Sequence, residues 1–207
     1  MYIPEYHRIE DRAVTLAFIK ANPFAILISN TADGPFATHL PILAQEVNGH
    51  LQLRGHMAKA NPHWKSINEN EESLVIFHGP HAYISPSLYE TRESVPTWNY
   101  AAVHAYGKGT VITDESRLNH LLQELIAHFD SQYAEQWPSL SEQYRGRMVQ
   151  HIVGFELTAT RVETKFKLSQ NRTRTDQESV IQSLASSSDS TAAAVATLMK
   201  ERGLGKP

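Results

Sequence analysis

The spacing of apolar positions changes several times along the chain, and each change marks an element. Residues 12–22, RAVTLAFIKAN, follow the acidic pair Glu10–Asp11 and stop before Pro23, which predicts a short helix. FAILISN and PFATHLPIL then flank a turn containing Asp33–Gly34. Asn48–Gly49 precedes HLQLRGH, where Leu51 and Leu53 alternate with polar residues. Both dipeptides are hairpin signals, and together they predict three antiparallel strands between Phe24 and His56. SLVIFHG, HAYIS and NYAAVHAYGKGTVIT are rich in aromatic and β-branched residues and read as further strands. The stretch SPSLYETRESVPT before the last of these reads as an exposed loop.

From Asp114 the period lengthens. Leu118, Leu121, Leu122, Leu125, Ile126 and Phe129 fall at helical spacing. They predict a helix of about five turns that starts at Asp114 and ends near Gln136–Trp137–Pro138. A short helical piece at 142–149, a last long strand in HIVGFELTATRVETKFKLS and two helices near 176–185 and 191–202, split by SSSDS, complete the reading. No repeat is visible. Strands close in sequence, then a helix and a returning strand, imply an α+β fold: a small antiparallel barrel of about six strands with helices outside. No glycine-rich loop opens a helix after a strand, so the usual nucleotide motifs are absent.

The bulk numbers narrow the class. At 207 residues with 41% hydrophobic and 20% charged positions, the chain is long enough for one well-cored domain of ordinary soluble composition. No apolar run has the length of a membrane span, and MYIPEYHRIEDR lacks the basic start and apolar stretch of a signal peptide. The absence of cysteine removes disulfides, thiolate metal sites and cysteine nucleophiles, and fits a cytoplasmic location. A net charge of −3 argues against a surface coated for nucleic acid. Eleven histidines are the one compositional oddity.

Candidate chemistry concentrates in RGHMAKANPHWKS, residues 54–66. Asn61 suits a helix N-cap and Pro62 the first helical position. A helix start there, with Lys59 before it and Lys65 inside it, would suit an anion such as a phosphate. A metal fits poorly. His56 and His63 have no nearby Asp or Glu to complete a ligand set, and His39, His78, His81 and His104 are scattered over predicted strands. No metal site is expected.

Several stretches resemble the PaiB family of FMN-binding negative transcriptional regulators, part of the FMN-binding split-barrel group. They are MYIPEY, ATHLPI, GHMAKANPHWK, FHGPHAYISPSLYE, VPTWNYAAVHAYG and KFKLSQNR, which reach from the first residue to about Arg172. The resemblance implies a six-stranded antiparallel split β-barrel with peripheral helices over residues 1–172. Residues 173–207 would be a helical tail of the same domain. It also implies a homodimer with FMN at the subunit interface. Lys59, Asn61 and Lys65 would contact the flavin phosphate, with Trp64 packing nearby. Thr38, His39 and Leu40 would line the flavin ring. Lys167, Ser169, Gln170 and Asn171 would close over the ribityl chain and phosphate. Trp98, Asn99 and Tyr100 would come from the partner subunit. The family often carries tryptophan where this chain has Leu88, which would lose a stacking plane and an N–H donor.

Three functions compete. The first is a flavin-binding repressor. DNA affinity rests largely on phosphate neutralisation, and residues 1–160 carry 17 acids against 11 Lys and Arg. Only residues 161–207 are basic, with 8 Lys and Arg against 5 acids, and their two helices make a poor helix-turn-helix. Direct DNA binding is thus weakly supported. The second is an FMN-dependent oxidoreductase, with His39, His81 or His104 available as proton carriers. The third, suggested by the histidines and by split-barrel relatives that bind haem, is a haem protein.

Overall fold

A computed structural model describes residues 1–206 of the chain. Among these the elements run α1 (Arg12–Ala21), β1 (Phe24–Thr31), β2 (Gly34–Pro41), β3 (Leu43–Val47), β4 (His50–Ala58), β5 (Ser73–Ile84), β6 (Thr97–Ile112), α2 (Glu115–Phe129), α3 (Ser131–Gln136), α4 (Glu142–Gln150), β7 (Ile152–Lys167), α5 (Arg174–Ala185) and α6 (Ser190–Glu201), with short 3-10 turns between some of them. The strands form one sheet in the order β2-β1-β5-β6-β7-β4-β3.

The α+β class is as expected, but the sheet has seven strands where six were anticipated. The three strands foreseen between Phe24 and His56 are four, because PFATHLPIL changes partner midway. β2 pairs antiparallel with β1 as far as Phe24↔Pro41. Pro41 has no N–H with which to extend that ladder. The next residue, Ile42, donates its N–H to the Pro23 carbonyl at 2.9 Å, and from Leu43 the chain pairs with β4 instead. Asn48 and Gly49, at φ 51° and 78°, make the β3–β4 hairpin in the left-handed region that this two-residue loop requires.

SLVIFHG and HAYIS are one strand, β5. Ser73, Val75, Phe77 and Gly79 are buried in alternation, then Ala82 and Ile84. The inward set therefore shifts by one residue across Pro80–His81, the change of parity that a β-bulge produces. The long helix expected from Asp114 to Gln136 is two. Asp114 caps α2 by accepting the Arg117 N–H at 2.9 Å. Asp130 interrupts it, donating its own N–H to Ile126 and capping α3 by accepting from Tyr133 at 2.9 Å.

The chain divides into two compact units. One comprises Ile19–Phe77 and His104–Val162. Here Leu118, Leu121 and Leu125 of α2 pack with Ile112 and Val149, and Leu43, Leu122 and Ile152 pack against this cluster. Gly154 on β7 permits the approach, since a Cβ there would stand 2.9 Å from Leu121 and 3.0 Å from Leu118. The other unit comprises Met1–Phe18, His78–Val103 and the chain from Glu163 onward. In it Phe18 of α1 meets Phe166 of β7, ring centroids 5.1 Å apart. α5 and α6 pair with each other and bury Val180, Ile181, Leu184, Ala192, Val195, Ala196 and Met199.

Candidate functional site

The expected site residues lie in two clusters, one in each unit. In the unit of residues 19–77 and 104–162, the segment after β4 folds back on β2. Asn61 caps a short 3-10 turn, Pro62–Ser66, its Oδ1 accepting the His63 N–H at 3.1 Å. The helix expected to follow Asn61–Pro62 ends after these five residues. No apolar period continues it, and the Asn68 side chain takes the N–H groups of Asn70 and Glu71 into a local turn instead. The anion argument from a helix N-terminus therefore does not apply. What remains is side-chain chemistry. Asn61 Nδ2 donates to Thr38 Oγ1 at 3.1 Å, and the same hydroxyl lies 2.8 Å from Nδ1 of His63. Lys59 and Lys65 are exposed nearby in sequence. Trp64 is held by its indole N–H on the Lys59 carbonyl at 3.0 Å, with the Lys65 ammonium 5.7 Å from its ring. On β2, Leu40 is buried in the core while His39 is exposed beside Phe24.

The second cluster surrounds the end of β7. Ser169 turns the chain with φ 65°, a conformation that a non-glycine residue holds only when its surroundings fix it. The fixing is visible. Gln170 accepts the Leu168 N–H through Oε1 at 2.7 Å and donates to the Phe166 carbonyl. Its Oε1 also faces Nδ1 of His7 at 2.8 Å. Ser169 and the fully buried Asn99 hydrogen-bond each other, and Asn99 Nδ2 lies 3.7 Å from the Met199 sulfur on α6. Asn99, Ser169 and Gln170 thus spend their polar atoms on shaping the turn, while Asn171 is exposed.

Lys167 reaches out of this turn, its Nζ donating to the Thr97 hydroxyl and to the Trp98 carbonyl, the latter at 2.6 Å. Desolvation lowers its pKa first, and the positive charges of Lys165 and Arg172 lower it further. Among the described residues no carboxylate pairs with any of these three. The Arg172 guanidinium lies 4.0 Å from the Tyr89 ring and the Lys165 ammonium 5.2 Å from that of Tyr100. Lys165 and Arg172 were missed in the sequence. The available signal was Lys165 and Lys167 at alternate positions of one strand, hence on one face. On the neighbouring strands Trp98, 52% exposed, stands 6.0 Å from His81 and 5.9 Å from Tyr83, and His81 stands 5.0 Å from His78. Desolvation chiefly, then His81, lowers the His78 pKa.

Residues 1–161 match the family model described as "Putative FMN-binding domain". The chain is 36% identical over 205 residues to the Protease synthase and sporulation protein PAI 2 of Bacillus subtilis, covering 98% of each. It belongs to the PaiB family of FMN-binding proteins. Among solved structures it resembles the flavocytochrome Anf3 from Azotobacter vinelandii, with TM-score 0.62 and 16% identity over 80% of this chain and 72% of that one. It also resembles the FAD and heme binding protein from Mycobacterium smegmatis, with TM-score 0.59 and 14% identity over 78% and 73%. At these identities the likeness establishes the fold alone, which is the split barrel expected of a PaiB-family chain.

The residues present fit FMN. Three cations without a carboxylate are the partners that a phosphate dianion requires. In the same cluster as these cations, exposed Trp98 offers a flat face. In the other cluster, taken by itself, Thr38 and Asn61 offer neutral hydrogen-bonding groups of the kind that orient a cofactor. Bound FMN supplies hydride and single-electron transfer, chemistry that no side chain provides. No group of three metal-ligating side chains occurs among the described residues. No helix among them is long and apolar enough to cross a membrane.

Proposed function

We propose that the protein is a homodimeric FMN-binding regulator of the PaiB type, and that the state of its flavin is the signal it carries. The observation that carries the FMN site is the set of unneutralised cations Lys165, Lys167 and Arg172. Lysines without an acid partner, partly withdrawn from water, are costly unless an anion joins them. In the second cluster we assign a phosphate contact to Lys167; in the first, Lys59, Lys65 and Asn61 are the residues to which the family resemblance gives that role. Of residues 38–40, Thr38 attends the ring, since His39 points to the other face of β2 and Leu40 is buried in the core. Trp64 packs beside Lys65, and Asn171 attends the ribityl chain. Trp98 and Tyr100 reach the flavin from the partner subunit. Asn99, Ser169 and Gln170 hold these contacts in place through the turn they pin.

Lys167→Met should weaken FMN binding by about ten- to a hundredfold, the loss expected for a charge-assisted contact. Titration of the apoprotein by flavin fluorescence reads this. Unchanged affinity removes Lys167 from the site. Sedimentation tests the dimer, and a monomer in the FMN-loaded state ends that part of the proposal.

Regulation by the flavin state, rather than by helices reading DNA directly, follows from the tail. α5 and α6 turn their apolar faces to packing, and Arg174 is paired with Glu178 at 2.7 Å. Salt-sensitive binding of promoter fragments that does not change with flavin reduction contradicts this assignment. A second reading, an FMN-dependent oxidoreductase, draws on the exposed His78–His81–Trp98–Tyr83 row, which offers a planar substrate aromatic and titratable neighbours. Bleaching of the bound flavin by NADH or NADPH, with turnover, would favour it.

A further inference from the structure

His63 is 1% exposed, and its Nε2 is buried with no hydrogen-bond partner, beside the ring of Phe36 at 5.1 Å. Its other nitrogen, Nδ1, touches only the hydroxyl of Thr38 among the hydrogen bonds it makes. The circuit is closed, because the backbone N–H of His63 is taken by Asn61 Oδ1 and Asn61 Nδ2 donates to the same Thr38 hydroxyl. Counting hydrogens shows what this circuit does. A threonine hydroxyl has one proton and two lone pairs. Asn61 uses one lone pair. If His63 carries its proton on Nδ1, that N–H uses the second, and Thr38 can act outward only as a donor. If His63 carries its proton on Nε2, the Thr38 proton goes to Nδ1, and Thr38 can act outward only as an acceptor.

Burial chooses between the two. The Nε2 position has no acceptor, so a proton placed there is an N–H buried without a partner. A bare lone pair in the same place is the more tolerable of the two defects, as it is for backbone groups. We propose that His63 is the positioning residue that fixes the polarity of Thr38: held as the Nδ1–H tautomer, it makes the Thr38 hydroxyl an obligate hydrogen-bond donor toward an acceptor atom of the bound flavin. This rests on the assignment of Thr38 to the FMN site made above. It accounts for a buried histidine that neither binds metal nor pairs with an acid.

Two measurements test it. Nitrogen NMR of the protein labelled in histidine reports the tautomer without FMN, so this arm does not depend on the cofactor assignment. A His63 signal from the Nδ1–H form is expected, and an Nε2–H signal overturns the proposal. In the second arm FMN affinity is measured for Thr38→Val, His63→Phe, the double variant and His63→Asn, whose amide can replace Nδ1. Thr38→Val and His63→Phe are each expected to weaken binding about tenfold, with the double variant no weaker than either, as for two members of one circuit. His63→Asn should recover most of the loss, and thermal melts of each variant establish that it is folded. Additive losses, or wild-type affinity in Thr38→Val, overturn the proposal. Failure of the wild-type protein to bind FMN at all strikes the cofactor assignment instead and leaves the tautomer result standing.

Discussion

Four histidines, His7, His56, His63 and His78, have pKa values lowered from the ordinary 6.5, in each case mainly by burial. The folded protein therefore holds them neutral, and the unfolded chain takes up protons at a higher pH than the folded one does. The stability they contribute is complete above 6.5 and is lost as pH falls from there through the lowered values. Each of the first three can add a slope of at most about 1.4 kcal/mol per pH unit. Urea unfolding followed from roughly pH 7 to pH 5 should show the midpoint falling, with a shallower fall in His56→Gln. A midpoint independent of pH would mean that these rings are solvated. At this scale the sequence was only partly legible. The Asn61–Pro62 cap could be read locally, because its partner is two residues away. The tie between His63 and Thr38 could not, since 25 residues separate them and only the fold joins them. The sequence argued against metal ligation by His56 and His63, but it does not display burial and so did not say what holds them.

Among elements, strand contacts set the tightest constraints. A Cβ on Gly109 of β6 would overlap the Glu156 carbonyl on β7, and one on Gly107 would stand 2.7 Å from that of Thr158. Gly109→Ala should cost about 2–4 kcal/mol, since backbone rather than a flexible side chain must yield. Leu121→Ala, which empties the centre of the α2 cluster, should cost about 2–5 kcal/mol. Chemical denaturation measures both, and a change under about 0.5 kcal/mol in either would show that the packing relaxes freely. Most helix starts of this fold were announced, as the Asp114 cap of α2 illustrates, but the break at Asp130 and the early end of the turn after Asn61 were not. The strands were announced as apolar runs, but their partners were not. The switch at Ile42 is invisible to periodicity, because both halves of PFATHLPIL keep the same extended pattern while pairing with different neighbours.

For the molecule as a whole, the C-terminal helices are structural rather than appended. Asp176, buried on α5, accepts the Glu90 N–H at 2.9 Å, and the Gly205 N–H reaches Gln177 at 3.1 Å. Deleting residues 173–207 would strip Met199 from Asn99 and expose the apolar faces that α5 and α6 cover. The truncated chain should lose cooperative thermal unfolding and FMN binding together, which calorimetry and flavin titration would detect. A truncated chain that keeps both would make the tail dispensable. The fold class was legible here because strand-rich and helix-rich stretches separate along the sequence. The assignment of the tail to the same unit as residues 1–18 and 78–103 was not, because it depends on contacts far apart in the chain.

The parity shift in β5 has one more consequence. His78 and His81 share the exposed side of the strand only because an extra residue is accommodated at Pro80–His81. The bulge is where this strand can change length. Losing Pro80 would restore plain alternation, with His81 and Tyr83 still outward and Ala82 and Ile84 still inward. A residue lost from the regular run of 73–79 would instead put one side of the gap on the wrong face. Descendants of this gene can vary the letters of β5, and the residue they can spare is the one at its bulge.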